Sequence, residues 1–294
     1  MQQRSIANEV SVVGIGLHSG EPITMVLKPA NEDMGILFVR SDKGISIPLS
    51  PENVVDTRMA TVIGKNGVIV STIEHLLSAV SAFGIDNLEV HVDGEELPVL
   101  DGSSASFVML LQEAGVQEQN ARKKIMVLKK PVEVRDGDKF VTLRPSKKHQ
   151  IIFEIKFNHP VIRAQKMSYT FSTKSYIKEI ARARTFGFLK DLHMLQSMGK
   201  AKGASLDNTI GLDEKRVLNS EGLRFSDEFV RHKILDAIGD MALLGMPFFG
   251  TYESFAGSHH LNFKLTQAVL ADKEAYEVVE VGSEAVKEME FAFA

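Results

Sequence analysis

Three side chains that can bind a metal ion recur at intervals of four residues in the stretch FVRHKILDAIGDMALLG, residues 229–245. They are His232, Asp236 and Asp240. The apolar residues of this stretch also follow helical spacing, so it is predicted to form a helix. Side chains four residues apart lie above one another on a helix, which allows an imidazole and a carboxylate to bind one ion. The same pattern is compatible with an exposed His–Asp ion pair on a solvated face.

A second candidate is the pair Glu74 and His75 in the motif STIEHLLSA. Glu74 has an alternative role, because Ser71 and Glu74 fit a capping box at the start of a helix. His75 also has an alternative role, because a single histidine in an apolar helix is commonly a core or boundary residue. The functional interpretation joins His75 to His232 and Asp236 as the ligands of a hydrolytic zinc site, with Glu74 as the base beside an attacking water.

A proton donor for the leaving group is expected in the motif SFAGSHHLNFK, towards the end of the chain. His259 or His260, which are predicted to lie in a Gly/Ser-rich loop, could fill this role. A carboxylate commonly orients such a histidine, and Asp240 is the candidate for this. Spacing leaves the functional and structural interpretations open, because it does not show whether three distant segments meet.

The composition limits the ligands and partners that the chain can have. Its 294 residues are most simply two domains or one large one, and the formal net charge of −4 predicts no nucleic-acid partner. Because there is no cysteine, any metal must be bound by His, Asp or Glu. No run approaches the roughly 18 apolar residues of a membrane span. We therefore expect a cytoplasmic protein without stable membrane insertion.

The apolar pattern predicts that each half of the chain begins with strands and ends with helices. A polar stretch at residues 115–124 is predicted to be a linker, which divides the chain into domains at residues 1–120 and 121–294. Asn66-Gly67 predicts a hairpin within residues 54–70. The other predicted strands are residues 10–15, 23–28, 35–39, 87–92, 125–128, 132–135, 139–144 and 151–157. The predicted helices end at Gly84 and Ala114 and cover residues 174–183, 229–245 and 266–271, before an acidic tail.

Two further features have both a structural and a functional interpretation. Residues 184–205 contain an apolar stripe between glycines, which either belongs to the core or lines a groove for an apolar ligand. His18 lies in a Gly-rich turn, where the polarity of the turn is sufficient to explain it. The stripe consists of Phe186, Phe188, Leu189, Leu192, Met194, Leu195 and Met198.

The motifs, in their order along the chain, resemble those of the UDP-3-O-acyl-N-acetylglucosamine deacetylases of Gram-negative lipid A biosynthesis. The resemblance extends almost from end to end and implies an α+β fold. Its two domains have similar architecture, each a helix layer on a β-sheet, with the helix layers facing each other and the metal between them. It also implies a small β insert at about 54–70 and an acyl-binding insert at about 187–206. The motifs are IGLHSG, STIEHLLSA, GIDN, LDGSSASF, FNHP, RARTFGF, LRFSDEFVRHKILDAIGD and GSHHLNFK.

Matched residue by residue, the resemblance implies roles for the candidate residues. The metal ligands are His75, His232 and Asp236. The catalytic residues are Glu74 as general base, His259 with Asp240 as its partner, and Thr185 beside the metal. The substrate-binding residues are Lys233 at the polar end of the substrate, together with His18, Phe186, Leu192 and Met194.

The resemblance also implies an activity, a cofactor and a partner. The expected reaction is hydrolysis of the N-acetyl group of a UDP-aminosugar that carries a fatty acyl chain, which releases acetate and the free amine. The expected cofactor is Zn²⁺, with Fe²⁺ as an alternative in the cell. The expected state is a monomer, and peripheral attachment at the inner membrane is left open.

One departure from the family pattern and two other functions complete the expectations. Many family members carry a cysteine near the metal where this chain has Ala60, so any role of that thiol is expected to be absent. A zinc peptidase or another amidase could use the same ligand set. A lipid- or nucleotide-binding protein with a structural metal is the alternative that is not an enzyme, and structural zinc sites are usually closed by four protein ligands.

Overall fold

A computed structural model of the chain describes residues 1–280, so the predicted acidic tail lies outside the described residues. The helices among the described residues are α1 (Glu74–Ala82), α2 (Ala105–Ala114), α3 (Thr173–Glu179), α4 (Leu189–Ser197), α5 (Glu228–Met241) and α6 (His259–Ala271). The strands up to residue 122 are β1 (Gln2–Ile6), β2 (Val10–Ile15), β3 (Pro22–Pro29), β4 (Ile36–Arg40), β5 (Ile45–Pro48), β6 (Val54–Asp56), β7 (Val62–Lys65), β8 (Val68–Val70), β9 (Leu88–Val92) and β10 (Val116–Arg122). The later strands are β11 (Lys124–Leu128), β12 (Val132–Asp136), β13 (Lys139–Arg144), β14 (Gln150–Lys156), β15 (Ala164–Thr170), β16 (Phe186–Phe188), β17 (Ile210–Leu212), β18 (Phe248–Phe249), β19 (Thr251–Phe255) and β20 (Tyr276–Glu280).

The two halves of the chain build five-stranded sheets of the same topology. The first has the order β2-β3-β9-β4-β5 and the second the order β12-β13-β19-β14-β15. In each sheet one inner pair, β4 with β9 or β14 with β19, is parallel, and the other neighbours are antiparallel. Residues along β3 and β9 alternate between buried and partly exposed, as expected when one face of a sheet is covered. The fold is therefore α+β, as predicted, with one strand arrangement used twice.

Helices from the two halves contact each other where α1 crosses α5. The α5 helix also packs on β14 and β15, and α6 packs against α5, β12 and β13. At the crossing, a Cβ atom added to Gly239 would lie 2.0 Å from the backbone oxygen of Glu74. A side chain at this position would separate the helices, so glycine is what allows the close approach. This crossing positions the candidate metal ligands.

Most of the predicted strands are present within one or two residues, and the Asn66-Gly67 hairpin joins β7 to β8 with both turn residues at positive φ. The predicted linker is wrong. Residues Val116–Arg122 form β10, which pairs with β1 in an antiparallel two-stranded sheet. Most residues of β10 are exposed, so the strand lacks the apolar alternation by which strands are recognised. The division into two domains remains a prediction.

Three helix boundaries also differ from the predictions. The helix predicted for residues 229–245 ends at Met241, and a short 3-10 helix, Ala242–Leu244, follows it. The helix predicted for residues 174–183 ends at Glu179. The helix predicted to start at Thr266 starts at His259, where the Ser258 hydroxyl accepts a hydrogen bond from the backbone N–H of Leu261. This serine cap extends the helix into the segment that was predicted to be a loop. Within residues 1–280, the longest apolar helices fall short of the length and hydropathy of a membrane span.

Candidate active site

Three buried side chains from the two halves converge at the α1–α5 crossing. His232 and Asp236 lie one turn apart on α5 and are only 2% and 4% exposed, so the alternative of a solvated ion pair is wrong. His75 lies in the first turn of α1. One ligand atom from each of the three residues lies within 4.8 Å of the others. The structure therefore brings together the three residues that were predicted to meet.

The donor atoms of this cluster fit a metal ion. Asp236 Oδ1 lies 3.2 Å from His232 Nε2 and 3.6 Å from His75 Nε2, yet it is buried and has no hydrogen-bond partner among the described residues. His232 Nδ1 lies 3.1 Å from the backbone oxygen of Ala183, to which a protonated Nδ1 donates, so Nε2 keeps its lone pair. Two nitrogens and one carboxylate oxygen are a donor set that suits Zn²⁺ or Fe²⁺.

The charges of the three candidate ligands also suit a cation. Burial, together with the neighbouring His232, lowers the pKa of His75 to about 3, and burial lowers the pKa of His232 as well, so both rings are neutral near pH 7. Burial opposes the charge of Asp236, but His232 and Lys233 outweigh this and keep the pKa of Asp236 below its usual range. The cluster thus presents two neutral imidazoles and one carboxylate.

Glu74 lies beside the cluster and is not a helix cap. The cap position of α1 is Ile73, and no side chain makes a cap hydrogen bond there, so the predicted capping box is wrong. Glu74 Oε2 instead accepts a hydrogen bond of 3.1 Å from the backbone N–H of Thr61. Burial raises the pKa of Glu74 to about 7, with the neighbouring His259 acting in the opposite direction. A carboxyl group with this pKa can accept and release a proton near neutral pH.

His259 faces Glu74 from the first turn of α6. Its Nε2 lies 3.8 Å from Glu74 Oε1, and its Nδ1 lies 2.9 Å from Asp240 Oδ2. Burial opposes a charge on His259, but Asp240 and Glu74 outweigh it and raise the pKa of His259 to about 10. The ring is therefore a cation near pH 7. His260 points elsewhere, with its Nδ1 3.1 Å from the hydroxyl of Thr57.

Two residues that support the His259–Asp240 pair were not predicted from the sequence. The Thr61 hydroxyl donates to Asp240 Oδ1 at 2.6 Å, and the Asn262 amide donates to Asp240 Oδ2 at 2.8 Å. Asn262 follows His259 by three residues on α6, a spacing that would have indicated a shared face if the helix start had been recognised. No spacing signal links Thr61 to Asp240, because they lie in different halves of the chain.

A cavity of about 430 Å³ extends from this cluster. Thr185, Lys233, Phe186 and Leu192 line it, and Lys233 Nζ lies 2.7 Å from Asp236 Oδ2. Met194 does not line the cavity and is 56% exposed, so the expectation that it points inward is wrong. Beyond the cluster the cavity walls are mostly apolar. These apolar walls are formed by Phe186, Phe188, Leu189, Leu192, Leu195, Leu206 and Leu218.

His18 and Ala60 also line this cavity. The backbone N–H of His18 donates to the buried carboxylate of Glu96, at 3.0 and 3.1 Å from its two oxygens. His18 Nδ1 accepts a hydrogen bond of 3.4 Å from the backbone N–H of Ala201, which joins the His18 turn to the segment after α4. Ala60 is buried.

The chain is similar to known proteins over almost its whole length. The family model described as UDP-3-O-acyl N-acetylglycosamine deacetylase matches residues 3–271. The chain is similar to a protein named UDP-3-O-acyl-N-acetylglucosamine deacetylase from Nautilia profundicola, with 58% identity over the whole of both chains. A protein of the same name from Campylobacter jejuni is 58% identical over 100% of both chains. A protein of the same name from Wolinella succinogenes is 57% identical over 97% of this chain and 96% of its own.

Proposed function

The chain belongs to the UDP-3-O-acyl-N-acetylglucosamine deacetylase family of hydrolases, and on this basis we propose the reaction and the roles of its residues. The substrate is a UDP-N-acetylglucosamine with a 3-O-acyl chain, and the products are acetate and the free amine. From the family, we expect this reaction to be the committed step of lipid A biosynthesis. The observation that carries the proposal is that a candidate metal site, a base and a cationic histidine lie together at one part of an apolar cavity.

We assign the metal site to His75, His232 and Asp236. A Zn²⁺ or Fe²⁺ ion bound there would act as a Lewis acid towards the acetamide carbonyl. His232 is oriented by its contact with Ala183, and Asp236 by Lys233 Nζ, so two of the ligands are held before any ion binds.

Glu74 takes a proton from the attacking water, and the new C–O bond forms on the acetyl carbon. The resulting negative charge on the carbonyl oxygen is stabilised by the His259 cation and by the Thr185 hydroxyl. Because Asp240 engages Nδ1 of His259, the proton available for transfer is the one on Nε2. Breakage of the C–N bond accompanies transfer of this proton to the sugar nitrogen.

The enzyme must then return to its starting protonation state. The water proton resides on Glu74, and His259 has lost one proton. The two groups lie 3.8 Å apart, so a small approach of the side chains suffices for the proton to pass from Glu74 to His259. The net change is one water consumed, one C–N bond broken and one C–O bond formed.

The substrate-binding roles follow from what each residue contacts along the cavity. Lys233 and His18 are polar groups on the cavity wall that have no assigned part in the proton transfers, and they suit the sugar and its substituents. Phe186 and Leu192 lie on the apolar walls, and these walls suit a fatty acyl chain. Each methylene that such a chain buries contributes up to about 0.8 kcal/mol. The acyl group is therefore expected to be a major source of binding energy.

The test pairs metal analysis with acetate release from the acylated UDP-sugar. The wild-type protein should contain metal and release acetate, and a chelator should abolish the activity until Zn²⁺ or Fe²⁺ is restored. The variant Asp236→Ala should lose metal and activity together. The exposed-site variant Met194→Ala serves as the matched control and should keep both. A metal-replete, fully active Asp236→Ala protein, or cleavage of peptides without acetate release, would contradict the proposal.

A further inference from the structure

The peptide group that joins Ala183 to Arg184 makes hydrogen bonds on both sides to residues of α5. Its carbonyl oxygen, on Ala183, lies 3.1 Å from His232 Nδ1. Its N–H, on Arg184, donates to Glu228 Oε1 at 3.0 Å. The C=O and N–H of a planar trans peptide group point in opposite directions, so these two bonds fix the orientation of the whole group.

Glu228 is placed for this contact by helical geometry. It is the first residue of α5 and is fully buried. One turn separates Glu228 from His232, and a second turn separates His232 from Asp236, so the three side chains lie on one face of the helix. The helix that carries two candidate metal ligands therefore also carries a carboxylate that holds the peptide group in contact with one of them.

The carboxylate of Glu228 is itself held by four donors. Oε1 accepts from the backbone N–H of Arg184 and from its Nε at 2.9 Å, and Oε2 accepts from the backbone N–H of Arg224 at 2.6 Å and from Arg184 Nη2 at 3.3 Å. The Arg184 guanidinium is buried and also donates to Glu221 at 2.7 Å and to the backbone oxygen of Gly222 at 2.8 Å. Movement of Glu228 would leave several buried donors unpaired, which is costly.

The orientation of this peptide group decides which nitrogen of His232 carries the proton. A carbonyl oxygen can only accept, so Ala183 selects the neutral ring with its N–H on Nδ1. Nε2 then keeps its lone pair and points towards Asp236 Oδ1, 3.2 Å away. His75 has no such support, because its Nδ1 is buried without a hydrogen-bond partner among residues 1–280.

We propose that Glu228 is a positioning residue for the metal site, an inference that rests on the proposed function. Glu228 does not line the active-site cavity. It holds the peptide group of Ala183, this group keeps the proton of His232 on Nδ1, and Nε2 is left free to bind the ion. The next peptide group is held separately, since the N–H of Thr185 donates to the backbone oxygen of Gly102 at 2.8 Å.

Two substitutions of Glu228 separate this role from that of a buried ion pair. Glu228→Asp keeps the charge beside Arg184 but withdraws the carboxylate by about 1.5 Å, the length of one C–C bond. The long arginine side chain can follow this shift, whereas the backbone N–H cannot. Glu228→Gln keeps the length and an oxygen that can accept from the backbone N–H, but it removes the charge. Positioning predicts that Glu228→Asp impairs the metal site more, and an ion-pair role predicts the reverse.

The measurements are the tautomer of His232, by ¹⁵N NMR of the metal-free protein, the affinity for Zn²⁺, by chelator competition, and the Tm. Glu228→Asp should show a mixture of His232 tautomers and bind Zn²⁺ about tenfold or more weakly. Glu228→Gln should keep the wild-type tautomer and affinity at a lower Tm. Glu221→Gln is the matched control, because it removes a charge from the same arginine at an exposed position without contacting the peptide group. It should keep both properties.

Three results would overturn the proposal. They are a wild-type His232 protonated on Nε2, a Glu228→Asp protein with wild-type tautomer and Zn²⁺ affinity, and a Glu228→Gln protein that binds Zn²⁺ more weakly than Glu228→Asp. The first needs only the wild-type protein and therefore decides even if a variant does not fold. A wild-type protein that binds no Zn²⁺ would contradict the proposed function instead, and the tautomers of the metal-free proteins would still test the role of Glu228.

Discussion

Adding a single methyl group at the α1–α5 crossing should disable the proposed metal site without changing any of its proposed ligands. In Gly239→Ala, the new Cβ would lie 2.0, 2.8 and 2.9 Å from the backbone O, C and Cα atoms of Glu74. All three are main-chain atoms, so no side chain can rotate to relieve the clash. Bringing the shortest of these contacts from 2.0 Å to 3.0 Å requires the helices to separate by at least about 1 Å.

This separation acts directly on the metal site because of where the clash occurs. Glu74 and His75 are the first residues of α1, whereas His232 and Asp236 are on α5 together with Gly239. Moving the helices apart therefore moves one ligand and the base away from the other two ligands. Metal–ligand distances tolerate only about 0.2 Å. We expect metal affinity to fall by roughly 10–100-fold or more.

The fold should withstand the change at a measurable cost. Overpacking of this kind costs about 1–3 kcal/mol, which lowers the Tm of a protein of this size by roughly 2–12 °C. Chelator competition measures the metal affinity, and calorimetry measures the Tm. Gly187→Ala is the matched control, because a Cβ there meets no atom within 4 Å. Wild-type metal affinity and Tm in Gly239→Ala would refute the reasoning that the close crossing sets the ligand geometry.

Three further substitutions test the residues around the metal. Glu74→Gln keeps the shape of the side chain but cannot take a proton, so kcat should fall by about 100-fold or more with metal content unchanged. Asp240→Asn removes the charge that holds the proton on His259, so the alkaline limb of the pH–rate profile should move down by roughly 1–3 pH units. A profile that does not move would show that protonated His259 is not required. Leu192→Asp should reduce kcat/KM for the acylated substrate far more than for UDP-N-acetylglucosamine. Met194→Asp, at an exposed position, should leave the ratio of the two kcat/KM values unchanged. Equal losses on both substrates would show that Leu192 has only a structural role.

The sequence predicted best what lies within one element. Because His232 and Asp236 are one turn apart on a single helix, their convergence follows from helical geometry alone. The alternating strands and the Asn66-Gly67 turn are also local patterns, and they are present as predicted. The pairing of His75 with this helix is different. It depends on the α1–α5 crossing. Gly239, which permits the crossing, has no local signal in the sequence, because Glu74, the residue it lies against, is in the other half of the chain.

The wrong predictions also have physical causes, which lie in tertiary structure and not in the local sequence. Ser71 and Glu74 have the spacing of a capping box, but Glu74 bonds to Thr61, a tertiary contact that overrides the local preference. The β10 strand is exposed on most of its residues, so its pairing with β1 gives no apolar alternation. Met194 belongs to an apolar stripe, yet α4 has no buried residue, so an apolar type there does not indicate which way a side chain points.

The charges around the metal site explain why these residues belong together. Glu74, Asp236 and Asp240 are three buried carboxyl groups, and Lys233 and His259 supply two positive charges. With all five ionised, the cluster has one negative charge in excess, and an uncompensated buried charge is costly. Burial raises the pKa of Glu74 to about 7, so protonation of this one group removes the excess. A divalent cation between the ligands offsets the same charge and favours ionised Glu74, the form that can act as a base. The carboxyl group of Glu74, the proposed base, is thus coupled to the proposed cation through charge balance, and a bound cation would shift Glu74 towards the ionised form that accepts a proton.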